Sequence, residues 1–493
     1  MQPAAGRPRP RRLPVAALAA VLCVVLAPAS CAGHAHGDPV ATAPAELYRD
    51  AADRIIAAAL SSDVAYERLV ALCDDIGHRL SGSANLALAI GWAHALFRTD
   101  GQDNIRLQPV QVPKWVRGTE SLTLTSPRTV PLAMLGLGWS VGTPAEGLEA
   151  EVVVARDEAE LDALGDRVAG RIVLFNNPMP PYDHVRGSRY GHTVRFRSKG
   201  AQMVAARGGV GVLVRSVTAH SLQTPHTGTQ SYAKGQPPIP AAAVTVEGAE
   251  LIARLVARGK TVKARLKMQA KLMDDVLSHN VIAELRGREK PDEIVVISAH
   301  IDSWDVGQGA HDDGGGVVMA MEVLRLLRTL DLRPRRTIRA VLFTNEENGL
   351  RGGKAYAKVH ADELPRHVAA IEADAGAFAP TGYSLTHQDP AAERRALGRL
   401  RELVTLLAPL GADHAMQGFG GADIGPMRPF GVPLMGHRTN MEKYFDLHHT
   451  AADTIDKIDR REYARNVAAL TVMAYVLAEM PHRLDAPTPP KTP

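Results

Sequence analysis

Histidine and carboxylate side chains that could hold a metal ion recur through the second half of the chain. The sequence contains three cysteines, which are too few for a cysteine-based zinc site, so a metal here must be bound by His, Asp and Glu. A mixed set of imidazole and carboxylate ligands suits zinc. The candidates are, in chain order, His300, Asp302, Asp312, Asp313, Glu346, Glu347, Glu372, Asp374, His448, His449 and Asp453.

The first pair is His300 and Asp302, separated by one residue. Alternate positions on an extended segment place both side chains on one side. A carboxylate there can accept the second ring N–H of a metal-bound histidine, which fixes the tautomer and raises the basicity of the ligand.

A glycine-rich segment at 307–316 contains Asp312 and Asp313. A dinucleotide-binding loop would need glycine where Asp312 stands, and no Gly-Lys-Ser/Thr follows as in a phosphate-binding loop. The segment instead predicts a carboxylate presented at the start of the next helix, with two oxygens for two metal ions. Either Asp312 or Asp313 could be that residue.

Glu346 and Glu347 are adjacent, and adjacent acids disfavour each other unless a cation lies nearby. One of the two carboxylates can bind a metal ion while the other stays free to take a proton from water. The pair therefore predicts one ligand and one general base.

The remaining ligands are an acid at Asp374 or Glu372 and a histidine at His448 or His449, which spacing alone does not separate. Two histidines and three carboxylates, one of them bridging, could hold two ions ~3.5–4 Å apart. Such a pair of ions lowers the pKa of water to near ~7 and polarises a substrate carbonyl.

These candidates follow segments that the sequence predicts to be buried strands, at 294–298, 337–344 and 368–373. Helices are predicted at 317–330 and 463–477 from their apolar periodicity. Alternating strands and helices predict an α/β fold whose mostly parallel sheet has helices on both faces. Ligands of such sheets bind at the carboxyl ends of the strands, where His300, Asp302, Glu346, Glu347 and Asp374 are expected. Asp312 lies in the glycine-rich loop after the first of these strands, and His449 lies in a loop before the last helix.

The domain organisation follows from changes in composition. Residues 45–112 and 276–485 are predicted to form the catalytic domain, and the tail at 486–493 to be disordered. The intervening 113–275 is rich in Pro, Gly and Thr, carries short strands and has no convergent His, Asp and Glu set. It is predicted to be an inserted accessory domain.

The N-terminus predicts export. Four arginines precede an apolar run at 13–27, and 27–29 is an Ala-Pro-Ala cleavage site, which together indicate a signal peptide at 1–29. The apolar run is short for a span of ~20 residues. Cys31 raises a second expectation, lipid attachment that would leave the exported chain anchored to a membrane. The net charge of +4 owes part of its excess to these arginines, so no nucleic-acid-binding surface is expected.

Over residues 45–480 these motifs resemble the two-zinc aminopeptidase and glutamate carboxypeptidase family, which has the zinc-peptidase fold. The segment 298–316 is the most specific, because its nineteen-residue pattern is hard to produce by chance. The other matching segments are 65–86, 135–147, 224–228 (TPHTG), 344–349 (TNEENG), 373–378 (ADAGAF) and 448–454 (HHTAADT). Asn345 and Asn348 depart from the usual family residues, and neither is a ligand position.

The resemblance implies two zinc ions per chain and a role for each candidate. It makes Asp312 the bridge, Glu346 the general base, and Asp302 the partner of His300. The zinc ligands it implies are His300, Asp312, Glu347, Asp374 and His449. It also implies that 113–275 is a protease-associated-like domain lying over the catalytic site, and that the protein is a secreted homodimer.

The function expected on these grounds is a zinc-dependent exopeptidase of the carboxypeptidase type that hydrolyses dipeptides or short peptides. An aminopeptidase on the same fold is the alternative, because both activities use the same metal ligands. A single-zinc cyclase would lack part of the second metal's ligands. A non-catalytic receptor would have lost ligands or Glu346, and the sequence retains all of them.

Overall fold

Two eight-stranded sheets form the framework of the computed structural model, which describes residues 44–184 and 186–487. The predicted signal peptide at 1–29, Cys31 and residues 488–493 of the predicted tail lie outside the described residues. Within the described residues, none of the helices has the length and apolar character needed to cross a bilayer.

The strands of the described residues are, in chain order, β1 (Asp103–Val116), β2 (Glu120–Ser126), β3 (Val130–Leu132), β4 (Met134–Gly136), β5 (Leu148–Ala155), β6 (Ile172–Phe175), β7 (Gly211–Arg215), β8 (Ala241–Val244), β9 (Lys263–Met268), β10 (Lys271–Leu285), β11 (Lys290–His300), β12 (Arg336–Phe343), β13 (His367–Glu372), β14 (Pro380–Thr386), β15 (His414–Gln417) and β16 (Leu434–Thr439).

The α-helices of the same residues are α1 (Arg49–Leu60), α2 (Val64–Ala71), α3 (Ala84–Thr99), α4 (Glu158–Leu164), α5 (Tyr190–Thr193), α6 (Arg195–Ala205), α7 (Val246–Ala257), α8 (Gly315–Thr329), α9 (Arg351–Val359), α10 (Pro390–Leu403), α11 (Tyr444–Leu447) and α12 (Arg460–Glu479). Turns of 3₁₀ type occupy Pro44–Tyr48, Gly165–Val168, Leu364–Arg366, Val404–Leu410, Gly425–Phe430 and Ile455–Lys457. Wider turns occupy Leu72–Ile76 and Ala310–Gly314, and the second of these has non-helical backbone angles at Asp312 and Asp313.

The first sheet has the strand order β1-β10-β12-β11-β13-β16-β14-β15. The pairs β11–β12, β11–β13, β13–β16 and β14–β15 are parallel. The pairs β1–β10, β10–β12 and β14–β16 are antiparallel. Every residue of β12 and β13 is buried, as expected for parallel strands covered on both faces. The predicted strands at 294–298, 337–344 and 368–373 are therefore confirmed as β11, β12 and β13.

Helices cover both faces of this sheet, as predicted. One face packs against α1, α2, α3, α8, α10 and α12 in the largest apolar core of the described residues. The other face packs against α9 and the turn at Gly425–Phe430, through Tyr356, Ala357 and Met427. The helices predicted at 317–330 and 463–477 are α8 and α12, which begin two and three residues before the predicted starts.

The start of α8 lies against the end of β13. A Cβ atom on Gly316 would stand 2.0 Å from the carbonyl oxygen of Ala373, so the helix can approach this closely only with glycine there. The approach brings the turn at Ala310–Gly314, which contains Asp312, next to Asp374.

The second sheet is built between residues 120 and 268 and has the order β3-β2-β9-β5-β6-β7-β8-β4. Apolar cores line its two faces, and α4, α6 and α7 pack against them. The long strands β1 and β10, which pair from Asp103 to Val116, lead into and out of it. The sheet lies inside the predicted insert 113–275, whose assignment to the protease-associated class stays a prediction.

Candidate metal centre

His300 is the last residue of β11, and its two ring nitrogens face different partners. Nδ1–H donates to the backbone carbonyl of Asp302 at 3.0 Å, which directs Nε2 towards the other candidates. The Asp302 carboxylate stands 3.9 Å from Nδ1 and accepts instead from the backbone N–H of Glu346 at 3.0 Å and from Ser81 Oγ at 3.3 Å. The backbone carbonyl of Asp302 therefore orients the His300 ring, and the carboxylate of Asp302 positions the loop that contains Glu346.

Asp312 lies between two histidines. Its Oδ1 is 3.2 Å from His300 Nε2, and its Oδ2 is 3.2 Å from His449 Nε2. Asp313 behaves differently, because its carboxylate accepts from the backbone N–H groups of His300 at 3.1 Å and Gly316 at 3.2 Å. Asp312 thus has the geometry of a bridging ligand, and Asp313 has that of a structural acceptor.

The turn that presents Asp312 is held by buried polar groups. Asp453 accepts from the backbone N–H of His311 at 2.7 Å and of Asp312 at 3.1 Å. Fully buried Arg79 donates to the carbonyl oxygens of Ile301, Gln308 and Gly309 at 2.8–3.0 Å. These bonds satisfy main-chain groups that a non-helical turn leaves without partners.

Replacing Arg79 by methionine is expected to destabilise the protein by about 3 kcal/mol or more, because several buried carbonyls lose their donor. The midpoint of urea unfolding measures the change. The matched control is Arg98→Met, which removes an exposed arginine of α3. A loss for Arg79→Met no larger than that of the control would contradict the role given to Arg79.

Glu346 and Glu347 follow β12 directly. Glu347 Oε2 lies 3.0 Å from His449 Nε2, whereas Glu347 Oε1 is buried and has no hydrogen-bond partner among the described residues. Burial raises the pKa of Glu346 well above its ordinary value, and the negative charges of Asp374 and Glu347 add to the effect. Burial and the charge of Asp312 raise the pKa of Glu347 to about 7. This concentration of carboxylates needs a cation to stay ionised at neutral pH.

Asp374 and Glu372 at the end of β13 also have different partners. Glu372 accepts from the backbone N–H groups of Ala422 at 2.6 Å and Ile424 at 3.0 Å. Asp374 Oδ1 lies 3.7 Å from His300 Nε2, and its side chain is 23% exposed. Asp374 is therefore available as a ligand, and it marks the side on which the centre opens to solvent.

His448 and His449 stack on each other with ring centroids 3.5 Å apart. Burial and the charge of His449 lower the pKa of His448 well below its ordinary value. Although burial alone lowers the pKa of His449, Glu347 and Asp312 raise it to about 9. His448 Nε2 is 3.6 Å from Asp312 Oδ2, so His449 has the shorter distance and the additional carboxylate neighbour.

The loop between β7 and β8 and helix α6, which adjoin the second sheet, supply contacts to His449 that the sequence did not predict. The His449 Nδ1–H donates to the carbonyl oxygen of Thr227 at 3.3 Å, and the backbone N–H of Thr227 donates to the carbonyl of His449 at 3.0 Å. Arg197 Nη1 lies 3.3 Å from the same ring nitrogen and donates to the Thr227 carbonyl. The family-like segment 224–228 was the available signal, but it carries no convergent set of metal ligands.

The arrangement fits zinc. His300, Asp312 and Asp374 form one group whose ligand atoms lie within 4.8 Å of one another, and Asp312, His448 and His449 form a second. The two groups share Asp312, and Glu347 adds to the second a buried oxygen that has no hydrogen-bond partner in the described part of the chain. Imidazole nitrogens and carboxylate oxygens are the donors that zinc prefers when cysteine is absent.

Comparisons with known proteins identify the family of the chain. A family model described as peptidase family M28 matches residues 280–474. Carboxypeptidase Q of Mus musculus is 40% identical over 440 residues, covering 89% of this chain and 91% of the relative. Carboxypeptidase Q of Homo sapiens is 40% identical over 419 residues, covering 85% of this chain and 86% of the relative.

Two solved structures extend the comparison. A peptidase M28 precursor from Shewanella amazonensis SB2B is 36% identical and has a TM-score of 0.85, covering 90% of this chain and 100% of that one. A zinc aminopeptidase from Bacillus subtilis has a TM-score of 0.61 with 84% of this chain and 94% of that one covered. At 20% identity, this second structure supports the fold alone.

Proposed function

This chain belongs to peptidase family M28 and is a carboxypeptidase Q-like metallopeptidase; from that premise we propose that it binds two zinc ions and hydrolyses dipeptides and short peptides. The observation that carries the proposal is the position of Asp312, with one carboxylate oxygen facing His300 and the other facing His449. A carboxylate that presents one oxygen to each side can serve as a ligand to two metal ions ~3.5–4 Å apart.

The ligands that we propose are His300 and Asp374 for one zinc, Glu347 and His449 for the other, and Asp312 for both. Zinc, when bound there, supplies Lewis-acid polarisation of the scissile carbonyl and lowers the pKa of water. Each proposed ligand has an atom within 3.7 Å of an atom of another proposed ligand, and these short distances support the assignment.

Glu346 is the proposed general base. It takes a proton from the attacking water and returns it to the leaving amine. The Asp302 carboxylate accepts a hydrogen bond from the backbone N–H of Glu346, which keeps the loop after β12 in place. Burial and neighbouring carboxylates raise the pKa of Glu346, and a cation bound nearby would favour the ionised form that a base needs.

A carboxypeptidase activity is favoured over an aminopeptidase activity by the similarity to carboxypeptidase Q along about 90% of the chain. The metal ligands do not separate the two activities. A receptor without catalysis is disfavoured, because every proposed ligand and Glu346 are retained in the sequence.

A panel of dipeptides that includes N-blocked and C-blocked members tests the proposal. We expect two zinc ions per chain by metal analysis, and hydrolysis of free dipeptides that stops with a chelator and returns when zinc is added. Cleavage of C-blocked but not N-blocked members would favour an aminopeptidase. A well-folded protein without zinc or activity would contradict the metallopeptidase proposal.

Residues 113–275 are proposed to cap the centre as a protease-associated-like domain, a role that the contacts of Thr227 and Arg197 with His449 support. Export through the signal peptide at 1–29 is proposed from its arginines and apolar run. The homodimer and the lipid anchor at Cys31 stay predictions.

A further inference from the structure

A guanidinium group stands behind the His449 ring. Arg197 belongs to α6, and its Nη1 lies 3.3 Å from His449 Nδ1. The same Nη1 donates to the carbonyl oxygen of Thr227, which also accepts from His449 Nδ1–H at 3.3 Å. When Nε2 of a neutral imidazole binds a metal ion, Nδ1 carries the hydrogen. The guanidinium and the imidazole then share one carbonyl oxygen as their acceptor.

Packing fixes the guanidinium in this position. A Cβ atom on Gly228, whose φ is +141°, would stand 2.3 Å from Arg197 Cζ, so the guanidinium lies directly against the glycine backbone. Its Nη2 donates to Tyr190 Oη at 2.7 Å, and the Tyr190 ring stacks on Phe445 of α11 with ring centroids 4.7 Å apart. Arg197 is only 6% exposed, and these contacts hold its charge beside His449.

This charge has no carboxylate partner. Among the residues that the structure describes, none of the Asp and Glu side chains lies within ion-pair distance of Arg197, and its buried Nε has no hydrogen-bond partner. A guanidinium carries a positive charge, and a buried charge acts on its neighbours through a medium that screens it far less than water. Arg197 therefore raises the electrostatic potential at the His449 ring.

His300, the histidine of the other proposed zinc position, has the opposite surroundings. Its Nδ1 lies 3.0 Å from the backbone carbonyl oxygen of Asp302 and 3.9 Å from the Asp302 carboxylate. The Asp313 carboxylate accepts from the backbone N–H of His300 at 3.1 Å. A carboxylate behind a metal-bound histidine raises the basicity of that ligand, and a cation in its place lowers it. The two histidines therefore differ as ligands, although both face Asp312.

We propose that Arg197 weakens zinc binding at the position of Glu347 and His449, so that the two zinc positions of this chain differ in affinity. Each position has one histidine, one carboxylate and a share of Asp312, so the difference comes from groups outside the ligand set. The inference rests on the proposed two-zinc site, and Arg197 is a positioning residue that acts through His449. A less basic ligand leaves a metal ion a stronger Lewis acid, which suits the weaker position to polarising a carbonyl.

Titration of the metal-free protein with zinc, in competition with a chelator of known affinity, tests the inference without any catalysis. The variants are Arg197→Gln, which keeps an N–H donor for Thr227 without the charge, and Arg197→Lys, which keeps the charge. Arg195→Gln, which removes an exposed arginine of the same helix, is the matched control. Repeating the titration in His300→Ala and His449→Ala backgrounds assigns each affinity to its position.

For Arg197→Gln we expect the weaker zinc to bind about 10- to 100-fold more tightly, the usual size of an outer partner's effect on metal affinity. The gain should persist in the His300→Ala background and disappear in the His449→Ala background. Arg197→Lys and Arg195→Gln should stay close to wild type. With Arg197 intact, the zinc left in His300→Ala should be bound more weakly than the zinc left in His449→Ala, a comparison that does not depend on how Arg197→Gln folds.

The direction of the change separates electrostatics from lost structure, because a loosened site would bind zinc less tightly. Unchanged or weaker zinc binding in Arg197→Gln would therefore overturn the inference. An equal gain in Arg197→Lys would overturn it as well, since the charge would not be the cause. Equal affinities in wild type would do the same and leave the peptidase in place. A wild type that binds fewer than two zinc ions per chain would overturn the proposed two-zinc site, and this inference with it.

Discussion

Replacing Glu346 by glutamine is expected to lower kcat by about 10²- to 10⁴-fold while the protein keeps its zinc, because the substitution removes only the proton acceptor. The glutamine side chain has nearly the same shape as that of glutamate. The backbone N–H of residue 346 can still donate to Asp302, so the loop keeps its position. Ligand atoms on His300, Asp312 and Glu347 are untouched. KM should therefore change little.

Steady-state kinetics on a cleaved dipeptide, with metal analysis of the same sample, checks this expectation. Glu402→Gln on α10, an exposed position, is the matched control and should behave as wild type. Near-normal activity in Glu346→Gln would remove Glu346 as the base. Loss of zinc would make it a ligand instead.

Replacing Asp312 by alanine is expected to remove zinc from both positions, because this carboxylate lies between the two histidines. Losing an outer partner of a ligand costs ~10–100-fold in metal affinity, and losing a shared ligand should cost more. Activity should fall with the metal and return only partly at high zinc concentration.

The contrast with Asp313→Asn tests the geometry of the turn. Asp313 accepts backbone N–H groups of His300 and Gly316, and asparagine can still accept such a bond. This variant should keep its zinc, although the protein should be less stable. Full zinc occupancy in Asp312→Ala, measured by competition with a chelator, would transfer the bridging role to Asp313.

The centre of the fold could be predicted from the sequence because its signal is local. The strands β11, β12 and β13 are continuous apolar runs, and α8 and α12 have a clear helical period. The peripheral strands gave no such signal. β3 and β4 have three residues each, and β15 is largely exposed, so their pairing depends on distant partners.

The candidate site shows a similar division. Residue types and strand ends predicted a group containing His300 together with one member of each neighbouring pair, and the family resemblance selected Asp312, Glu347 and His449. Within the pairs Asp312/Asp313 and Glu372/Asp374, the structure separates the ligand from its neighbour by main-chain hydrogen bonds that a sequence does not display. Glu372, for example, is occupied by the N–H groups of Ala422 and Ile424.

The two hydrogen bonds between Thr227 and His449 have a consequence for truncation. A shortened chain that lacked 120–268 would keep all of the proposed zinc ligands, yet it would leave the His449 ring nitrogen and carbonyl to water. No point substitution imitates this loss, since both contacts use the main chain of Thr227. The part of the chain that carries the proposed ligands therefore takes two of the hydrogen bonds that position His449 from outside itself.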